Sequence, residues 1–154
     1  DRNRANHDAY RAGLASVRGL RMFELGAGLG ADARCRFNYQ YVVLMIDRAE
    51  FGLSRNQLVC LLIAENVAAR RYFYPGAHRM EPYRTLYPDV EQRLPCTVSV
   101  AEQVICLPTG LSVTCDDIRA ICAFIEFCQR HSAALASVVP EDSIAPTPAQ
   151  LLLR

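Results

Sequence analysis

The chain contains no lysine: all 17 of its basic residues are arginine. Arginine stays protonated under working conditions and offers no amine nucleophile. Every mechanism that needs a side-chain Schiff base is therefore closed to this chain. The bland reading of this composition is codon bias in a GC-rich genome, and the chemical consequence holds whatever its origin. Long hydrophobic runs are also missing. None approaches the ~20 residues that cross a bilayer, and the longest uncharged apolar stretch, around Tyr41 to Ile46, has the length of a strand. Net charge is only +1, so no strong field points toward nucleic acid or a membrane surface. Ligand pairs for a metal are absent too. There are seven cysteines (Cys35, Cys60, Cys96, Cys106, Cys115, Cys122 and Cys128), an odd number with no C-x-x-C pair. His7, His78 and His131 have no metal-like spacing. Several of the cysteines fall inside apolar periods, as free core thiols do. These features predict a reduced, cytoplasmic protein with no disulfide and no metal. Asp1 to Arg18 is polar and amphipathic, so no signal peptide is expected. The first residue is not Met, which fits a fragment or a processed product.

What is present suits one domain. The chain has 154 residues, 51% hydrophobic and 21% charged, enough to bury roughly two-thirds of its unfolded surface. Residues 2–17 read as a helix, with Ala5, Ala9, Ala12 and Val17 on its lines beside Tyr10 and Leu14, and Gly19 as its stop. Leu20 to Leu25 alternates like a strand, and Tyr39 to Asp47 is β-branched and aromatic enough for a buried one. Ser54-Arg55-Asn56-Gln57 fits a capping box that opens a helix carrying Leu58, Val59, Leu62 and Ile63. Val67 to Tyr74 reads as a strand ended by Pro75-Gly76. Residues 76–97 are punctuated by Pro82, Pro88 and Pro95, with one helical turn around Tyr83 to Tyr87. Ser99 to Gln103 is a short helix, and Val104 to Leu107 a short strand stopped by Pro108. Thr114 opens the last helix, with Asp116 and Asp117 where the macrodipole favours negative charge. Ile118, Ile121, Cys122, Ile125 and Cys128 form its buried stripe. After His131 the composition turns to Ala, Ser and Pro, so residues 1–131 are expected to be the domain and 132–154 a flexible tail. The order predicts an α+β fold: a small, mainly antiparallel sheet with helices packed on it.

One motif points elsewhere. Phe23-Glu24-Leu25-Gly26-Ala27-Gly28-Leu29-Gly30 resembles the cofactor loop of SAM-dependent methyltransferases, where glycines let the backbone approach the ligand and a helix follows. Asp47 even ends a strand about twenty residues later. The context disagrees. Only Ala31 to Phe37 separates the glycines from the next strand, with Asp32, Arg34 and Arg36 among them and no apolar face. A parallel crossover needs a dozen residues or more, so a loop between antiparallel strands explains the glycines more simply.

The segments beyond that loop resemble the small domain of the DegT/DnrJ/EryC1/StrS sugar aminotransferases. Asn38-Tyr39-Gln40-Tyr41-Val42-Val43 is similar to that family's N-Y-x-Y strand, and Phe51-Gly52-Leu53-Ser54-Arg55 with Leu58 to the start of its next helix. Glu65 to His78, continuing to Pro82-Tyr83, is similar to its helix end, strand and aromatic-Pro-x-x-His turn. Ala101-Glu102-Gln103-Val104-Ile105-Cys106-Leu107-Pro108 resembles its A-E-x-x-L-x-L-P segment. The resemblance covers about residues 3–128.

This resemblance implies PLP-dependent transfer of an amino group to a keto sugar carried on a nucleotide diphosphate, usually by a dimer. In the family the cofactor's lysine, phosphate site and pyridine-nitrogen partner lie in the large N-terminal domain. The lysine-free chain is therefore expected to bind no cofactor alone and to hold no catalytic residue, with PLP belonging to a complete member. Expected partners are a large PLP-binding domain or a second copy, and a nucleotide-sugar substrate in the complete enzyme. Implied substrate contacts are Tyr74 and His78, with Tyr72 and Arg71 nearby and Asn38 and Tyr39 on the neighbouring strand. A competing reading has Tyr72 or Tyr74 as plain packing and His78 as a tie for the proline-rich loop. Many family members carry His where Phe73 stands, which suggests a sub-branch with a different substrate. The alternative functions are a non-catalytic sugar-nucleotide-binding or interaction module and, on the glycine motif, a SAM-dependent methyltransferase fragment.

Overall fold

Antiparallel pairing runs through the whole sheet, in the order β1-β2-β4-β3. The computed structural model describes residues 2–24 and 37–141. Its elements are α1 (Arg2–Leu14), β1 (Leu20–Met22), β2 (Val42–Ile46), α2 (Arg48–Phe51), α3 (Arg55–Ala64), β3 (Arg70–Arg71), a 3-10 turn (Ala77–Arg79), α4 (Tyr83–Leu86), α5 (Val90–Arg93), α6 (Pro95–Gln103), β4 (Val104–Leu107), α7 (Cys115–Arg130) and α8 (Ser132–Val138). This is the α+β class that the order of apolar periods predicts. Leu20 pairs with Ile46 across β1 and β2, and Val42 with Leu107 across β2 and β4.

The register sorts the side chains. Val42, Leu44 and Ile46 alternate into one core with Leu58 and Leu62 of α3 and Ile118, Ile121 and Ile125 of α7. Both long helices start where the sequence says. The Ser54 hydroxyl accepts from the Gln57 amide at 3.2 Å while the Gln57 side chain accepts from the Ser54 amide at 2.9 Å. Thr114 and Asp117 exchange the same pair of bonds at the start of α7. All five residues of the expected α7 stripe are buried. The turn after α1 requires glycine: Gly19 has φ +75, and a Cβ there would lie 2.3 Å from the Phe51 nitrogen.

Two expectations change. The buried face of α1 carries Asn6, His7, Tyr10 and Leu14, while Ala5 and Ala12 are exposed. Tertiary partners make this possible: the Asn6 amide donates to the Gly110 carbonyl at 3.1 Å, and the Tyr10 hydroxyl to the Pro108 carbonyl at 3.0 Å. The strand expected over Val67 to Tyr74 shrinks to Arg70–Arg71. Left-handed residues bracket it, Asn66 at φ 60 and Phe73 at φ 48, and neither fits a pleated ladder. Residues 132–138, placed by the sequence at the start of the tail, form α8. Gln57 donates to the Val139 carbonyl at 2.7 Å, and Arg48 pairs with Glu141. The rest of that tail, and the Gly26 to Gly30 loop, lie outside the described residues. The antiparallel β1–β2 pair does not supply the parallel crossover that a methyltransferase cofactor loop needs. Asp47 caps α2, its carboxylate accepting from the Ala49 amide at 2.9 Å. Among the described residues no helix is long and apolar enough to cross a membrane.

Candidate functional site

Edge strand β3 delivers the chain into a tight turn, and Tyr74 of this turn lines an open groove. Phe73 takes a left-handed conformation and points outward, 76% exposed. Tyr74 then folds back, and the Arg71 guanidinium carbon lies 3.9 Å from the centroid of its ring. A second arginine approaches the same ring: the Arg55 carbon stands 5.4 Å from the centroid. Cations over aromatic faces are held by the ring quadrupole. Tyr74 and Arg55 line an open groove of about 840 Å³, together with Asp47, Ser54, Asn56, Arg79, Glu102 and Gln103.

Arg55 is the unexpected member. It is only 3% exposed. Its Nη1 donates to the Val104 carbonyl at 3.0 Å and its Nε to the Asn56 side-chain oxygen at 2.9 Å. Among the described residues no carboxylate pairs with it. Burial, and then the charge of Arg71, push its pKa down to about 10, so it remains a cation at neutral pH. The sequence did hold a signal. Arg55 sits at the first position of α3, where the helix dipole disfavours a positive charge. Arg79 is better compensated: its Nε donates to Glu91 at 2.7 Å and its Nη2 to Glu102 at 3.1 Å. Those carboxylates hold its own pKa above the usual arginine value.

The other expected contacts scatter. His78 is buried, and its Nε2 makes no hydrogen bond. Its ring lies against Gly76, where a Cβ would come within 2.6 Å of the imidazole Cε1 at φ +99. It lines a separate, smaller cavity of about 230 Å³ with Arg84 and Tyr87, and Arg79 borders both spaces. Tyr72 turns away, packing edge-on against Tyr41 at 5.7 Å and Phe73 at 4.3 Å between ring centroids. Asn38 and Tyr39 lie before the start of β2, whereas the groove lies at its end. There the Tyr39 ring meets His7 at 5.0 Å, and Asn38 receives the Asn3 amide on its carbonyl at 3.3 Å. The structure thus joins Arg71 and Tyr74, sets His78 behind them and leaves Tyr72, Asn38 and Tyr39 elsewhere.

Comparison with known proteins gives this arrangement a lineage. Residues 1–126 match the model of the DegT/DnrJ/EryC1/StrS aminotransferase family. The chain belongs to that family. Among curated proteins, the dTDP-4-amino-4,6-dideoxy-D-glucose transaminase of Escherichia coli is 42% identical over 99 residues, which are 64% of this chain and 25% of that protein. A protein of the same name from Shigella dysenteriae is 30% identical over 90 residues, 57% of this chain and 23% of that protein. Among solved structures, DesI in the presence of its TDP-sugar product superposes with a TM-score of 0.75 at 37% identity, over 90% of this chain and 33% of that one. The aminotransferase TlmJ from Streptoalloteichus hindustanus shares the fold, with a TM-score of 0.57 at 21% identity over 88% of this chain and 31% of its own. This family member spans about a quarter of the first curated relative and a third of the DesI chain.

Proposed function

We propose that the chain is the C-terminal small domain of a PLP-dependent nucleotide-sugar aminotransferase, and that it supplies one wall of the sugar-nucleotide pocket. The observation that carries this reading is the Tyr74 groove, built on the turn where the family resemblance is strongest. Tyr74 presents a half-exposed phenol there, which can accept or donate toward a sugar hydroxyl. Arg71 and Arg55 hold the ring on the groove wall. His78 supports the turn from beneath.

The residues present do not fit PLP as a resident cofactor. Covalent attachment needs a side-chain amine, and the chain has no lysine. No step through the cofactor is assigned to this chain, and alone it is expected to perform no transamination. A large domain would bring the cofactor. The exposed Met80, Tyr83, Leu86, Tyr87 and Leu94 support a covering partner, either that domain or a second copy.

Two measurements test the reading. Incubation with PLP, borohydride reduction and peptide mapping should leave at most a trace adduct on the N-terminal amine, with no turnover of glutamate and a keto sugar nucleotide. One-to-one cofactor binding with turnover would overturn the assignment. Calorimetric titration with a dTDP-linked 4-amino sugar should give saturable heat that Tyr74→Ala removes. Saturable heat from a groove complete within this chain would equally suit a binding module that never transaminates. A large-domain partner that restores turnover decides between the two.

A further inference from the structure

We infer that residues 132–141 form a strap that restricts entry to the Tyr74 groove, with Glu141 as its latch. That the groove receives a sugar nucleotide rests on the reading above. The strap itself rests on packing and charge. It lies beyond residues 1–126, which carry the family match. Ser132, Leu135 and Val139 are partly buried while their neighbours are exposed, the i, i+3, i+7 spacing of one helical face. That face lies over the elbow where α2 meets α3. A Cβ on Gly52 of the elbow would stand 2.3 Å from the Ser132 hydroxyl oxygen. Leu135 packs against the core, and the Gln57 side-chain amide donates to the Val139 carbonyl at 2.7 Å. Pro140 has no N–H with which to carry the helix on. The chain therefore leaves α8 at the lip of the groove, where Glu141 pairs with Arg48 of α2 across 93 positions of sequence. Both partners line the groove.

The strap is thus anchored along its inner face and held only by charge at its end. The Arg48 and Glu141 side chains are 64% and 50% exposed. Exposed pairs of this kind are weak and are screened by salt. The latch can open without drawing Leu135 out of the core. Closed, it sets a carboxylate at the mouth of the groove and occupies the Arg48 guanidinium. A sugar nucleotide is an anion, so it meets repulsion at Glu141 and finds Arg48 already taken. Open, the carboxylate leaves the mouth and Arg48 is free to attract. Charges on the rim of a binding surface act mainly on the rate of association. The strap therefore governs how fast the groove fills more than how the ligand is held once inside.

The test compares the full chain with Glu141→Gln, which keeps the side chain's size and removes its charge. Two quantities are read at low salt: amide hydrogen exchange over residues 132–141, and association of a dTDP-linked 4-amino sugar. The variant should exchange several-fold faster in this segment, with the rest of the chain unchanged. It should also take up the sugar nucleotide several-fold faster, and this gain should fade at high salt, where exposed charges are screened. The double variant Arg48→Glu with Glu141→Arg re-forms the pair and should return exchange to the parent's rate. Unchanged exchange in Glu141→Gln, or no return in the double variant, overturns the latch. Faster exchange with equal association overturns the control of entry and leaves the small-domain reading standing. Absence of saturable binding by both chains overturns the reading of the groove and the entry role with it, while faster exchange in the variant would still support the latch.

Discussion

His7 shows at the scale of one residue how tertiary structure can recast a polar side chain. It is 1% exposed, with the Arg11 guanidinium 3.5 Å from Nδ1 and the Asp8 carboxylate 3.7 Å from the same atom. The guanidinium disfavours a charged ring and the carboxylate favours one. Burial is the largest influence and, with Arg11, lowers the pKa below 6.5 despite the opposing pull of Asp8. The unfolded chain then takes up the proton first as pH falls, and stability drops from about pH 6.5 down through the lower folded value. His7→Gln should flatten that limb. Urea midpoints at pH 7.5 and 5.5 should differ less in the variant than in the parent, and equal slopes would mean that other groups govern the acid limb. Nothing in the sequence distinguished His7 from its exposed neighbours, because its environment comes from Tyr39 and the strand start. Arg71 and Tyr74 were legible as candidates, being close along the chain. In the sequence Arg55 belongs to a capping box and to the Phe51-Gly52-Leu53-Ser54-Arg55 helix start, and neither announces its partner Val104, 49 positions away.

Among the elements, those with strong local chemistry were readable. The reciprocal bonds of Thr114 and Asp117 fix the start of α7, and hydrogen bonds from Thr114 lower the Asp117 pKa. Thr114→Ala should cost about 1 kcal/mol, read as a shift in urea midpoint at constant slope. A shift that vanished near neutral pH would show the cap to be redundant. α7 was readable because its apolar spacing is helical throughout and its cap is local. β3 was not, because its length is set by Asn66 and Phe73, whose left-handed conformations ordinary propensity does not announce. The same limit hid α8. Ala, Ser and Val carry no strong signal after His131, and the contacts that dock this stretch come from Gln57 and Arg48.

For the whole molecule the open question is what covers residues 80–100. Met80, Tyr83, Leu86, Tyr87, Leu94 and Val100 are all exposed along this one stretch of chain. The isolated chain should self-associate with rising concentration in sedimentation velocity, and Leu86→Glu should shift it toward monomer. A single monomeric species at every concentration would show that water tolerates this surface. The sheet also limits how any cover can be built. Its two borders are β1, with three residues, and β3, with two. A strand from another chain would find almost no backbone to zip onto. Among the described residues the sheet thus offers little main chain for strand exchange or fibre-like stacking, and recognition there falls to side chains rather than to main-chain ladders.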